Sequence, residues 1–382
     1  MSFSLTLHHY DITLARPYVW AKGVHYQKWS ILVKAEISEC LGFGEIAYAP
    51  DWERLSRKDF ERIAGAVKHW CDEYYDPLVD SLLAVDMIRV GNMLDQLSVI
   101  DLRIRCGVAS AIFQALAQFH ATSIHQLFSD HYRTEIPINA LVSFQQGEGF
   151  DRACLRIIQH IRGYTGYGIA TIKCKGTPDV TSDIQLMKVL KAEYPDCAFR
   201  LDPNGAWSLS DVLRMSDCLH DLSLEYIEEP FSDPIAYNAL QDSKSELPIA
   251  FDHWGGNNFD LAQVIERYKP VAIVLKCQAV GGPDKAAELI RLAETLGTRV
   301  VVTGSLESLV GLTVAAEVAA CCTNLSAAGI LLWEYFTPNS HPVPQIRNGL
   351  VQLPLVKSDP ELPESWLRRG LTIKRKEVEI II

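Results

Sequence analysis

Eight short apolar runs between residues 136 and 336 constrain this chain more than any other feature. They read IPINALVSF, YGIATIKCKG, CAFRLDPNG, LEYIEEP, LPIAFDHWG, VAIVLKCQAVGG, TRVVVTGSLES and AAGILLWEYF, and amphipathic stretches separate them. Short buried runs that alternate with helices read as parallel strand–helix units. Eight such units in about 200 residues predict a (β/α)8-type barrel. No Gly-rich phosphate loop follows the first run, which argues against an open dinucleotide-binding sheet. The clearest helix, PDKAAELIRLAETLG, carries Pro283 at its first helical position and Gly297 as its stop signal. In VTSDIQLMKVLKAEYP, residues Ile184, Met187, Leu190 and Tyr194 share one face.

The flanking sequence has a different texture. SLTLHHYDITL and WSILVKAEI alternate like antiparallel strands, and DFERIAGAVKHWCDEYY and CGVASAIFQALAQFHATSIHQLF carry helical spacing. The expected division is an α+β capping domain over 1–130, the barrel over 131–340, and a C-terminal segment, 341–382, that returns to the capping domain through its final EVEIII strand. A net charge of -11 with no basic block beyond Lys374, Arg375 and Lys376 makes nucleic acid and anionic membrane poor partners. The opening MSFSLTLHHYDITLARP lacks the basic and apolar regions of a signal peptide, so the expectation is a cytoplasmic protein. Ten scattered cysteines without CxxC spacing read as reduced, mostly buried small hydrophobes.

In a barrel of this kind the chemistry sits at the C-terminal ends of the strands. There the runs place Lys175, Asp202, Glu228, Asp252, Lys276 and Glu307, each roughly 25 to 30 residues after the last, or about one β/α unit. Strand alternation aims Lys173 and Lys175 into the mouth and turns Cys174 away; Arg200, Asp202 and Asn204 share a side, and Cys277 faces outward beside Lys276. One charge after a strand is ordinarily a helix cap or a solvated tip, and Glu229, Glu307 and His253 taken singly read that way. Three carboxylates on consecutive strands, flanked by lysines, are a different matter. They cannot all stay ionised in a partly desolvated mouth without a cation. Hard oxygen ligands alone point to Mg2+ more than Zn2+, with Mn2+ a substitute.

KCK at 173–175, RLDPNGAW at 200–207, YIEEP at 226–230, AFD at 250–252 and VLKCQAVGG at 274–282 together resemble the enolase superfamily, specifically its muconate lactonizing enzyme subgroup. GFGEIAYAP at 42–50 is similar to the segment that closes the family's capping domain over the barrel. GEIAYAPDW, Arg200 and GSLESLVGLTVAAEVAA at 304–320 lean toward the o-succinylbenzoate synthase branch. The resemblance implies Asp202, Glu228 and Asp252 as metal ligands and Lys175 and Lys276 as the catalytic pair, with Lys173, Arg200 and Asn204 in support. It implies a syn dehydration of 2-succinyl-6-hydroxy-2,4-cyclohexadiene-1-carboxylate through a metal-stabilised enediolate, in menaquinone or phylloquinone biosynthesis. The partner would be a small-molecule carboxylate; homo-oligomerisation stays open. The loops 16–28 and 47–53 would cover the substrate, offering Trp20, Tyr48 and Trp52, and Ser305 and Ser308 would reach a substrate carboxylate.

Two departures keep alternatives in view. DHW at 252–254 replaces the Asp-Glu-Ser of many relatives, and ILLWEYF lacks the Asp-x-Asp with which dipeptide epimerases hold a substrate ammonium. An N-acylamino-acid racemase or dipeptide epimerase, a muconate cycloisomerase and a non-catalytic ligand-binding barrel are the rivals. A model lysine is only about 0.04% neutral at pH 7, a deficit of about 4.6 kcal/mol, so a lysine base needs its pKa lowered. Lys173 is the neighbour expected to help lower that of Lys175.

Overall fold

The computed structural model describes residues 2–20, 23–47, 56–145, 147–218, 222, 224–243, 247–252, 261–324, 326–336, 344–355, 367–374 and 377–381. The chain opens with three antiparallel strands, β1 (Phe3–Trp20), β2 (Gly23–Ile37) and β3 (Cys40–Ala47), and three helices, α1 (Arg57–Leu83), α2 (Met87–Ser98) and α3 (Leu102–Phe119). Alternation along β1 serves two cores. Phe3, Leu5 and Leu7 are buried against the helices, whereas Tyr10, Ile12 and Leu14 join the core of the following domain. The two glycines of GFGE let β3 lie directly on α3: a Cβ on Gly42 or Gly44 would collide with the backbone carbonyls of Ala111 or Gly107.

β4 (Glu135–Pro137) precedes seven parallel strands, β5 (Asn139–Ser143), β6 (Thr171–Lys175), β7 (Ala198–Asp202), β8 (Leu224–Glu228), β9 (Ile249–Asp252), β10 (Ala272–Leu275) and β11 (Arg299–Val302). They are hydrogen-bonded in chain order. Helices lie between the strands, and the apolar runs are buried as the sequence requires of a parallel sheet covered on both faces. The helix Pro283–Thr295 has Pro in its first turn, and Gly297 follows it with φ 77. All ten cysteines are free, eight of them buried.

Two of the eight runs depart from the expected pattern. IPINALVSF breaks at Ile138: its start, β4, pairs antiparallel with β13 (Leu350–Gln352), which also pairs with β12 (Ile346–Arg347). AAGILLWEYF is not a full strand. It contributes two single-residue parallel bridges, Ile138 with Ala328 and Thr303 with Gly329, and then coils into a 3-10 helix, Leu331–Tyr335. Leu331, Leu332, Trp333 and Tyr335 are all buried, so the run is apolar because it is covered, not because it is extended. The barrel is therefore seven strands closed by a two-residue splice.

Arg200 reinforces that splice. Its guanidinium donates to Asn139 Oδ1 at 3.0 Å and to the Ala327 carbonyl at 2.7 Å, pairs with Glu225 at 2.8 Å, and lies 5.0 Å from the Tyr226 ring centroid. After β13 the chain returns to the first domain, where β14 (Leu367–Lys374) pairs with β1 and β15 (Glu377–Ile381) pairs with β14. The resulting sheet runs β15-β14-β1-β2-β3. Among the described residues no helix is long and apolar enough to cross a membrane.

Candidate active site

The parallel register fixes which side chains meet at the C-terminal mouth. Lys173 stands beside Arg200 and Lys175 beside Asp202 in the β6–β7 pairing, while Cys174 is fully buried on the outer face. Lys173 Nζ bridges two carboxylates, 2.8 Å from Asp202 Oδ2 and 2.6 and 2.7 Å from the two oxygens of Glu228. Lys175 Nζ reaches Asp202 Oδ2 at 2.6 Å and Asn204 Oδ1 at 3.0 Å. Lys276, immediately after β10, donates to Asp252 Oδ2 at the end of β9. Because β6 and β10 stand four positions apart in a ring closed by the eighth segment, the two lysines face each other across the mouth.

Burial and charge set these groups apart. Burial, then the like charge of Lys173, holds the Lys175 amine below the ordinary lysine value against the opposing pull of Asp202 and Glu228. Lys173 and Lys276 go the other way: burial works against their charge, but Asp202 and Glu228 outweigh it for the first, and Asp252 and Glu228 for the second. Glu228 is pushed up to about 7 by burial and by Asp202. Asp202 is pulled down, because Lys173 and Lys175 overcome the burial that would raise it. Three non-glycine residues at strand ends here, Asn204, Glu229 and Leu306, have φ of 51, 40 and 67, a strained left-handed backbone of the kind that gathers at functional sites. Glu229 accepts the Asp252 N–H at 3.0 Å, which orients the end of β9 and marks it as a supporting group.

No three His, Cys, Asp or Glu side chains among the described residues form a ready-made metal cluster. Lysine ammonium groups pair with Asp202, Glu228 and Asp252. The donor chemistry still suits a hard divalent cation. All three groups are buried carboxylates on adjacent strands, and Asp252 Oδ1 is buried without a hydrogen-bond partner among the described residues.

The substrate-contact expectations fare differently from one another. Ser308 is fully buried and committed: it caps the helix Leu309–Ala319, and both its N–H and its hydroxyl donate to Glu45 Oε2, at 2.9 and 2.6 Å. Both polar groups of Ser308 are thus engaged by the capping-domain carboxylate. Glu307 is buried as well, accepts the Ser305 N–H, and is pushed up to about 7 by burial. Ser305 itself remains half-buried beside the mouth. Trp20 pairs with Gly23 through the backbone; its side chain, with Tyr48, Trp52 and His253, lies outside the described residues.

A residue the sequence did not single out stands in this field. Tyr18 packs edge-on against Tyr335 with centroids 5.2 Å apart. Its hydroxyl is raised by burial, with Lys173 and Lys276 pulling against Asp202 and Asp252. Beside it, Arg16 binds Glu334 at 2.8 Å, and Glu334 also accepts the Tyr164 hydroxyl at 2.9 Å. The only signal for Tyr18 was its place in the 16–28 segment.

Comparisons with known proteins agree with this geometry. Residues 156–357, more than half of the chain, match the family described as enolase C-terminal domain-like. Over 189 residues the chain is 29% identical to a D-Ala-D/L-Ala epimerase of Cytophaga hutchinsonii, covering 49% of each protein. Over 198 residues it is 30% identical to an o-succinylbenzoate synthase of Thermobifida fusca, covering 51% of this chain and 59% of that one. The chain thus spans about half the length of these curated relatives. The crystal structure of an N-succinyl Arg/Lys racemase from Bacillus cereus superposes with a TM-score of 0.80 at 19% identity, covering 98% of this chain and 100% of that one. That likeness shows the fold. Strand-end carboxylates, facing lysines, a splice-closed barrel and a family match over residues 156–357 converge on one conclusion: the chain belongs to the enolase superfamily.

Proposed function

We propose that this protein removes a proton α to a carboxylate, and that its reaction is the syn dehydration of 2-succinyl-6-hydroxy-2,4-cyclohexadiene-1-carboxylate to o-succinylbenzoate. The observation that carries the reading is geometric: Lys175 at the end of β6 and Lys276 after β10 face each other across a mouth that holds the three buried carboxylates Asp202, Glu228 and Asp252. Lys175, as the neutral amine, takes the α-proton, and the resulting ammonium returns it to the departing hydroxyl. Lys276 stays charged on the opposite side and stabilises the anion. Lys173 holds Asp202 and Glu228 in place and raises the cost of protonating Lys175. Asp202, Glu228 and Asp252 would hold Mg2+, or Mn2+ in its place, which supplies positive charge at the substrate carboxylate.

The eighth segment favours dehydration over dipeptide epimerisation. Its carboxylate, Glu334, is engaged by Arg16 and Tyr164, so the segment presents no free acid for a substrate ammonium among the described residues. A second reading, racemisation of an N-acylamino acid, is favoured by the same two lysines facing each other, since each could serve one enantiomer. An ultraviolet assay of the purified protein with Mg2+ separates them. Formation of o-succinylbenzoate supports the first reading; loss of optical activity from an N-acylamino acid with no such product supports the second.

A further inference from the structure

The two lysines are held by different parts of the molecule. The turn after Lys175 is pinned from within the barrel. Gly176 N–H donates to the Asp202 carbonyl at 2.8 Å, Thr177 N–H to Asp183 Oδ2 at 2.8 Å, and Trp207 Nε1–H to the Thr177 carbonyl at 2.9 Å. The turn after Lys276 coils on itself, with the Ala279 and Val280 N–H groups donating to the Lys276 carbonyl at 2.9 and 3.2 Å. It is pinned from the capping domain.

Gln278, two residues after Lys276, makes that connection. Its side-chain amide donates to the Glu45 carbonyl at 2.7 Å and accepts the Ala47 N–H at 3.2 Å, while the residue is only 5% exposed. A carbonyl at one residue and an N–H two residues on is the pairing that a neighbouring parallel strand would make. Gln278 thus completes the outer edge of β3. On the same edge, Gln118 and Gln114 of α3 accept the N–H groups of Leu41 and Phe43. Gln118 and Gln114 come from the capping domain itself, and Gln278 reaches over from the barrel.

The other end of the turn is clamped as well. Arg105 of α3, fully buried, donates to the Gly281 carbonyl at 2.7 Å and to Asp284 at 2.9 and 2.7 Å. Glu45 cannot drift away from Gln278, because Lys28 pairs with it at 2.8 Å, Ser30 at 2.9 Å and Ser308 from the barrel side.

We propose that Gln278 is a positioning residue for Lys276, tying it to the edge of β3, so that the placement of Lys276 depends on the capping domain and that of Lys175 does not. The inference rests on the reading that Lys276 acts on the substrate, but its geometry involves no substrate. Gln278→Met keeps the volume and removes both hydrogen bonds. Gln278→Glu keeps the acceptor for Ala47 and removes the donor to Glu45, and serves if the first variant does not fold. Each lysine is labelled with limiting acetic anhydride, and its modification is quantified by mass spectrometry in the full-length protein. Labelling of Lys276 rises about fivefold for each hydrogen bond lost, one in Gln278→Glu and two in Gln278→Met, while that of Lys175 stays within about twofold. In the same variants kcat falls about 10- to 100-fold with little change in KM, as expected for a misplaced group. Equal labelling changes at both lysines, or none at Lys276, in a folded variant overturn the proposal. If the wild-type protein neither forms o-succinylbenzoate nor racemises an N-acylamino acid, the functional reading fails, and the labelling still decides this one.

Discussion

At the scale of single residues, the informative contrast is between side chains that point into the mouth and those that the capping domain seals. Alternation alone separated Lys173 and Lys175 from Cys174, and strand phase alone put Asp202, Glu228, Asp252 and Lys276 at the strand ends where they stand. Ser308 was not legible in the same way, because the partner that claims it, Glu45, lies 263 residues away in the chain. Ser308→Ala is expected to cost about 1–3 kcal/mol, by losing a helix cap and a hydrogen bond to a buried carboxylate. Urea unfolding measures this; a variant of unchanged stability but raised KM would return Ser308 to the substrate. Lys173→Met removes the like charge beside Lys175, so the Lys175 pKa rises and the acidic limb of the kcat/KM profile moves to higher pH. A limb that stays in place, or moves down, would show that Lys173 does not tune the base.

At the scale of elements, seven of the eight strands were legible because a buried parallel strand leaves a short apolar run with a turn at each end. AAGILLWEYF satisfied the same pattern for a different reason: the capping domain and the barrel bury a 3-10 helix from both sides. Period cannot tell the two apart over so few residues. The missing ladder places weight on Arg200, which joins Asn139 on β5 to the Ala327 carbonyl across the closure. Arg200→Met is expected to cost about 1–3 kcal/mol, since it takes the donor from the buried Asn139 Oδ1 and from the Ala327 carbonyl at the splice, while Glu225 keeps Arg299 at 3.2 Å. Equilibrium denaturation reads this directly, and a loss well below about 1 kcal/mol would show that the bridges at Ala328 and Gly329 close the barrel unaided. Gln278 left no sequence signal, because a glutamine inside an apolar turn gains meaning only when β3 is brought beside it.

At the scale of the whole molecule, folding buries acids whose protonation then depends on it. Glu307 and Asp183 are both pushed up to about 7 by burial, from ordinary values of 4.5 and 3.8. The folded protein therefore binds more protons than the unfolded chain between those ordinary values and about pH 7. Their contribution is fully present below that window and is lost as pH rises through it. Glu307→Gln should flatten the fall in thermal stability between about pH 5 and 8; an unchanged slope would mean that Glu307 is ionised in the folded state. The central claim is that the facing lysines perform the chemistry, with Lys175 as the base. It is tested most directly by o-succinylbenzoate formation with Mg2+ in the wild-type protein and in Lys175→Ala and Lys175→Arg. The expected result is robust turnover in the first and a loss of about a thousandfold or more in both variants, with fold and Mg2+ binding kept. Turnover in Lys175→Ala equal to the wild type would contradict the account.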